Sequence, residues 1–146
     1  MKDRPYTILL VEDDEDDYLL FSEAIAETDI THEVIWVRDG EAVMKYISDE
    51  HRPDLIILDL NMPAVDGRDV LRQIKSDPLL LSIPVVVMTT SGADEDIDFC
   101  YSMGANSYIK KPDSFSKLLN TVKLIGSYWL DAVELPTRGK YVNEGV

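Results

Sequence analysis

Cysteine is nearly absent: Cys100 is the only one in 146 residues. The chain therefore forms no internal disulfide framework and no multi-cysteine zinc site. Basic residues are also scarce. Lysine and arginine number 14 against 28 aspartates and glutamates, a formal charge of −14. A chain this acidic has no electrostatic footprint for nucleic acid and is repelled by an anionic membrane. Long apolar runs are missing too. Met1 to Pro5 leads directly into Ile8-Leu9-Leu10-Val11. That run is too short for a signal-peptide core, and no stretch approaches the ~18 apolar residues of a membrane span. A reducing cytoplasm is the expected compartment. No repeat, low-complexity segment or Pro/Gly/Ser linker divides the chain. With 45% hydrophobic residues it can bury a core, so one folded domain is expected rather than disorder.

What is present is alternation. Four apolar, β-branched runs read as buried strands: residues 8–11, 34–37, 55–58 and 85–88. A weaker fifth, Ser107-Tyr108-Ile109, precedes Lys110-Lys111-Pro112. Helical patterns lie between them: 17–27, 41–47, a segment around Val70, Leu71 and Ile74 ended by Asp77-Pro78, 97–103 stopped by Gly104, and 114–133. Five strand–helix alternations predict an α/β fold, a doubly wound (βα)5 three-layer sandwich around one parallel sheet. Strands buried on both faces read as continuous apolar runs, as these do. In such sheets the site lies outside the carboxyl ends of the strands.

The strand ends carry the chemistry. Strand 1 ends in Glu12-Asp13, strand 3 in Asp59, strand 4 in Thr89-Thr90 and strand 5 in Lys111-Pro112. One sheet edge thus receives three carboxylates, a hydroxyl and an ammonium. Three close carboxylates repel one another, and a hard divalent cation with oxygen ligands resolves that repulsion. A lysine and a hydroxyl beside it suit a phosphoryl group, and a carboxylate can itself be the acceptor. The acids at Asp14 to Asp17 read as favourable charges at a helix N-terminus, without a metal role. His32 and His51 fall away from this edge, and Cys100 falls among core positions.

Residues 8–14 (Ile-Leu-Leu-Val-Glu-Asp-Asp), 58–63 (Leu-Asp-Leu-Asn-Met-Pro), Asp66-Gly67, Val87-Met88-Thr89 and Lys111-Pro112 together resemble the receiver domains of two-component response regulators, the CheY-like family. The resemblance covers roughly residues 5–130 and implies a flavodoxin-like fold with strand order 2-1-3-4-5. It implies that Asp59 is the phosphoacceptor and that Mg2+ is the cofactor. Asp13 and Asp59 would hold the ion, with Glu12 through water and the Asn61 backbone carbonyl. Thr89 would turn onto the phosphoryl group, Lys111 would pair with carboxylate and phosphate, and Tyr108 would follow Thr89 inward. It also implies a cis Lys111–Pro112 bond. The end of the fifth helix, Gly126 to Leu130 with Glu134-Leu135-Pro136, and the insertion at 77–81 resemble the regulators paired with bacterial and cyanobacterial phytochrome kinases. The expected partner is therefore a histidine kinase of phytochrome type. The receiver is expected over 5–135, with a tail at 136–146.

Three rival readings differ from this one at particular residues. A haloacid-dehalogenase-like phosphatase also forms an aspartyl phosphate with Mg2+, but resembles Asp-x-Asp after strand 1. Here the residue two beyond Asp59 is Asn61, which cannot relay a proton. A flavodoxin needs a Ser/Thr/Gly-rich phosphate loop where this chain is acidic. A degenerate receiver would lack the acid–hydroxyl–lysine set. On a helical wheel, Phe115, Leu118, Leu119, Val122, Ile125, Trp129 and Val133 form a core stripe, leaving Leu124, Tyr128 and Leu135 opposite. The fourth helix offers two pairs, Ile97/Tyr101 and Phe99/Met103, of which one is surplus. These surplus residues predict a partner surface and a homodimer through helix 4, strand 5 and helix 5.

Overall fold

The computed structural model describes residues 5–30, 32–47, 51–62 and 66–137. Most of the tail expected after 135, residues 138–146, lies outside them. The elements alternate: β1 (Tyr6–Val11), α1 (Glu15–Ala26), β2 (His32–Val37), α2 (Gly40–Tyr46), β3 (Leu55–Leu58), α3 (Gly67–Ser76), β4 (Val85–Thr89), α4 (Asp94–Ser102), β5 (Ser107–Lys110) and α5 (Phe115–Ser127). A single π-helical turn, Tyr128–Ala132, follows α5. All pairings are parallel and the sheet order is β2-β1-β3-β4-β5. This is the doubly wound, flavodoxin-like (βα)5 sandwich expected.

Period-two alternation divides the central strands between two cores. Leu9, Val11, Ile56, Leu58, Val85 and Val87 face a core completed by α2, α3 and α4. Ile8, Leu10, Leu55, Ile57, Val86 and Met88 face the opposite core, completed by α1 and α5. β1, β3 and β4 thus read as unbroken apolar runs because helices cover both faces. β2 and β5 lie at the edges and are only half-buried. Asp14, Asp39, Asp66 and Ser114 cap α1, α2, α3 and α5 by accepting from backbone N–H groups of the first turn. Gly104 closes α4 at φ 104°, with the Ala105 N–H donating to the Cys100 carbonyl at 2.9 Å, a Schellman cap.

Several local expectations change. No described peptide bond is cis, so Lys111–Pro112 is trans, unlike the bond the resemblance implies. The fifth helix does not run regularly to 133. The π turn widens its path, and Leu130 becomes the buried residue in place of Val133. Phe115 leaves the core stripe: at the first helical position it sits at a cavity wall with Leu20, Phe21 and Leu118, 39% exposed. Leu135 leaves the exposed set, because the chain after the π turn folds it against the α1–α5 core. On α4, Phe99 and Met103 pack on the other core, while Tyr101 is exposed and Ile97 half-buried. Phe99 and Met103 are therefore the half-buried pair packed on the core, and Tyr101 is the exposed residue of the four.

One glycine fixes the site's floor. A Cβ on Gly67 would lie 2.3 Å from the Asp59 carbonyl oxygen and 2.6 Å from Leu60 Cα. Both obstacles are backbone, so α3 could seat no side chain here without moving the loop that carries Asp59. Gly92 differs: its Cβ would meet only the flexible Lys110 side chain, at 3.3 Å. Gly67→Ala should destabilise the fold by about 1–3 kcal/mol, the usual cost of overpacking, and Gly92→Ala by much less. Denaturant unfolding of the two variants tests this, and equal losses would contradict the close approach.

Candidate functional site

The site is built where β1, β3, β4 and β5 end. Val11 and Leu58 are direct neighbours in the sheet, so the next residues, Glu12 and Asp59, leave it side by side. The Asp59 N–H donates to the Val11 carbonyl at 3.1 Å, which ties the two strand ends together. Glu12 is 3% and Asp59 5% exposed, an unusual burial for carboxylates. Carboxylate oxygens of Glu12, Asp13 and Asp59 lie within 4.8 Å of one another. Asp13 is the half-buried member and faces an open cleft of about 690 Å³.

One ammonium holds this group. Lys111 Nζ donates to Glu12 Oε1 at 2.7 Å, to Asp17 Oδ2 at 2.7 Å and to Asp59 Oδ2 at 3.1 Å. β5 delivers it: the Lys111 N–H donates to the Thr89 carbonyl at 2.7 Å, which sets the backbone at the sheet end. Asp17 is the member that sequence reasoning missed. It was assigned to helix-terminal charge, yet α1 turns it into the site. No local signal marks it: Asp13 precedes the Asp14 N-cap, so helical spacing does not link the strand-end acids to Asp17.

Charge in the cluster is unbalanced: Glu12, Asp13, Asp17 and Asp59 surround a single lysine. Burial pushes the Glu12 carboxyl up to about 7, and Asp59 adds to the rise against the pull of Lys111. Burial opposes the charge on Lys111, but the carboxylates of Asp17, Glu12 and Asp59 outweigh it and the ammonium is held above its ordinary value. The Glu12 rise is thus chiefly a burial effect, to which the neighbouring carboxylate adds, whereas the Lys111 rise comes from its carboxylate partners. The donor set is all hard oxygen, partly buried and under-neutralised, which fits a hard divalent cation such as Mg2+.

The hydroxyl expected at the site is present and already engaged. Thr89 is fully buried, and its Oγ1 accepts from Asn61 Nδ2 at 3.1 Å. Asn61 also donates its backbone N–H to Asp59 Oδ1 at 3.1 Å. Thr90, beyond it, is exposed and lies 3.4 Å from the same amide. Tyr108 is not part of this group. Its hydroxyl donates to the Ser91 carbonyl at 2.8 Å, and its N–H, on the outer edge of β5, donates to the Tyr101 hydroxyl at 3.1 Å. Ser91 in turn donates to Asp96, which is paired with Arg68 at the cleft wall. Arg68 and Asp96 were also missed. Their sequence positions, 28 apart on two helices, carry no motif. His32 and His51 take no part: one ring nitrogen of His32 bonds the Ile30 carbonyl, and His51 stacks on Tyr46.

A sheet of this order, with acids after β1 and β3, a hydroxyl at β4 and a lysine after β5, defines a receiver. The chain belongs to the response regulator receiver family, whose sequence model matches residues 8–123. It is 43% identical over 138 residues to the response regulator Rcp1 of Synechocystis, covering 90% of this chain and 94% of that one. The Mn2+-bound structure of Rcp1 superposes with a TM-score of 0.85 at 42% identity, covering 91% and 100%. The phosphorylated cyanobacterial phytochrome response regulator RcpA superposes at 0.86 with 45% identity, covering 91% and 99%. A probable methanogenesis regulatory protein, FilR2 of Methanothrix harundinacea, is 43% identical over 131 residues, covering 86% and 84%. The family is one of signalling proteins, and nothing supports the haloacid-dehalogenase alternative. No helix among the described residues is long and apolar enough to cross a membrane.

The raised Glu12 carboxyl has a consequence for stability. The native state keeps a proton there that the unfolded chain releases near 4.5. Native stability should therefore fall as pH rises from about 4.5 through about 7. The contribution of Lys111 is constant in that window, because its own loss begins only above 10.5. Thermal unfolding in chelator-treated buffer should show the decline, and Glu12→Gln should flatten it. An identical decline in Glu12→Gln would place the linked proton elsewhere.

Proposed function

We propose that this receiver takes a phosphoryl group on Asp59 from a phosphohistidine of a phytochrome-type histidine kinase in the cytoplasm. The observation that carries the reading is the contact of Lys111 Nζ with Asp59 Oδ2 at 3.1 Å, inside a ring of carboxylates. An Asp59 oxygen attacks phosphorus, the P–N bond of the donor breaks, and the imidazole leaves and takes up a proton. Asp13 and Asp59, with Glu12 through water and the Asn61 carbonyl, would hold Mg2+. When bound, the ion would neutralise charge on the phosphoryl oxygens.

The remaining steps belong to the protein. Lys111 exchanges part of its carboxylate contacts for the phosphoryl oxygens. Thr89 leaves Asn61 and gives its hydroxyl to the phosphoryl group. That movement opens space beneath β4, and Tyr108 gives up the Ser91 carbonyl to follow it. Phosphorylation then biases two packings of the α4–β5–α5 face. The same site hydrolyses its own acyl phosphate. No other substrate chemistry is required, so the protein acts as a phosphoacceptor and not as an enzyme on other molecules. The receiver occupies 5–135.

Acetyl phosphate should label the unmutated protein in the presence of Mg2+ and not after chelation. Asp59→Asn should remove labelling, and Lys111→Met should slow it on the order of 100-fold, as loss of a charged transition-state donor does. Intact-mass spectrometry reads both. Full labelling of Asp59→Asn would overturn the assignment. For the donor, a labelled phytochrome kinase should outpace unrelated kinases in phosphotransfer; similarity to the phytochrome response regulator RcpA supports this choice.

The proposed homodimer now rests on a smaller surface. Leu124 is 65%, Tyr128 55% and Tyr101 49% exposed. Large apolar side chains at such exposure favour a partner. Leu124→Glu with Tyr128→Glu should give a monomer that still accepts phosphate, because the site lies at the strand ends. Sedimentation velocity tests it, and a monomer for the unmutated protein in both phosphorylation states would remove the dimer.

A further inference from the structure

The two residues that carry the acids at the end of β1 are tethered, by backbone as well as side chain, to the end of β2. The Glu12 N–H donates to the Val37 carbonyl at 3.0 Å. The Glu12 carbonyl accepts from Trp36 Nε1 at 2.6 Å, and the Asp13 carbonyl accepts from Arg38 Nη2 at 2.8 Å. Three consecutive residues of one strand end thus hold three peptide groups of the acidic dipeptide. The indole is not free to turn away. Tyr18 of α1 stacks on it at 4.1 Å and 4° between planes, and the Arg38 guanidinium lies 4.8 Å from its ring centre.

We propose that Trp36 and Arg38 are positioning residues for cation binding. They hold Glu12 and Asp13 near Asp59 against the repulsion among the three carboxylates. Unrestrained, that repulsion would drive the β1–α1 loop outward, since the ammonium of Lys111 leaves the cluster net negative. With the loop fixed beforehand, binding need not reorganise it, and an ion meets ligands already in place. The tether acts from the edge strand and contacts neither the ion nor the phosphoryl group. It rests on the reading that Glu12 and Asp13 serve a cation.

Trp36→Phe keeps a ring on Tyr18 and removes the N–H. Mg2+ titrated by calorimetry should bind this variant about five-fold more weakly, the equivalent of one lost hydrogen bond. Ile83→Val, at the far end of the sheet, lowers stability through packing alone and should leave the affinity unchanged. A second readout needs no loss of the tether. In a Trp129→Phe background, Trp36 emission should already be that of a held indole without Mg2+ and should keep its maximum and anisotropy through the calorimetric titration. Equal affinities for Trp36→Phe and the unmutated protein, or a Trp36 emission shift on Mg2+ binding that reports the loop rearranging, would overturn the tether. If the unmutated protein gave no heat with Mg2+, the cation reading itself would fail and take the tether with it.

Discussion

The site depends on one ammonium group. Lys111 reaches Glu12, Asp17 and Asp59 from the end of β5, so one ammonium bonds three carboxylates while a fourth, Asp13, lies close to two of them. Buried charges are tolerated where they are paired, and breaking such a pair leaves the partner uncompensated. Here pairing is deliberate but incomplete. Burial, with Asp59 beside it, raises the Glu12 carboxyl, and the surplus of carboxylates over ammonium suits the site to a cation. A lysine that balanced the cluster fully would leave it inert. The arrangement also couples distant chain segments, because Lys111 lies 99 residues from Glu12 and 52 from Asp59.

Everything that brings Lys111 to its place is sheet geometry. The parallel order puts β3 between β1 and β4, so acids from two strands meet while hydroxyl and lysine arrive from the next two. Full burial of β3, β4 and the last four residues of β1 makes the strand ends stiff, and a stiff frame can hold like charges together. The half-buried edge strands have other tasks. β2 uses Trp36 and Arg38 to hold the acidic loop. β5 uses its free edge to engage Tyr101 through the Tyr108 N–H.

Hydrogen bonds around Thr89 and Ser91 link the site to the α4 side. Thr89 is bonded to Asn61, while Tyr108 is bonded to Ser91, two residues beyond Thr89. Ser91 is joined to Asp96 and Arg68, which close the cleft wall. A change in the Thr89 hydroxyl therefore has a short path to α4. Its members are hydrogen-bonded side chains of β4, β5, α3 and the segment before α4.

The sequence by itself determined the fold class, the strand order through the resemblance, and the group Glu12, Asp13, Asp59, Thr89 and Lys111. These were legible because unbroken apolar runs mark buried strands, and parallel sheets place function at the residues that follow them. Cys100 and the Gly104 cap were legible for the same local reasons. Tertiary structure decided what depends on approach between segments far apart in the chain. Asp17 looked like any acid in a first turn until α1 packed it over Lys111. Trp36 and Arg38 carry no motif, since their partners are backbone carbonyls that any residue would supply. The choice between the two faces of α4, the inward turn of Leu135 and the need for glycine at 67 rest on contacts with other elements. Local periodicity sets which side chains share a face; only packing sets what that face meets.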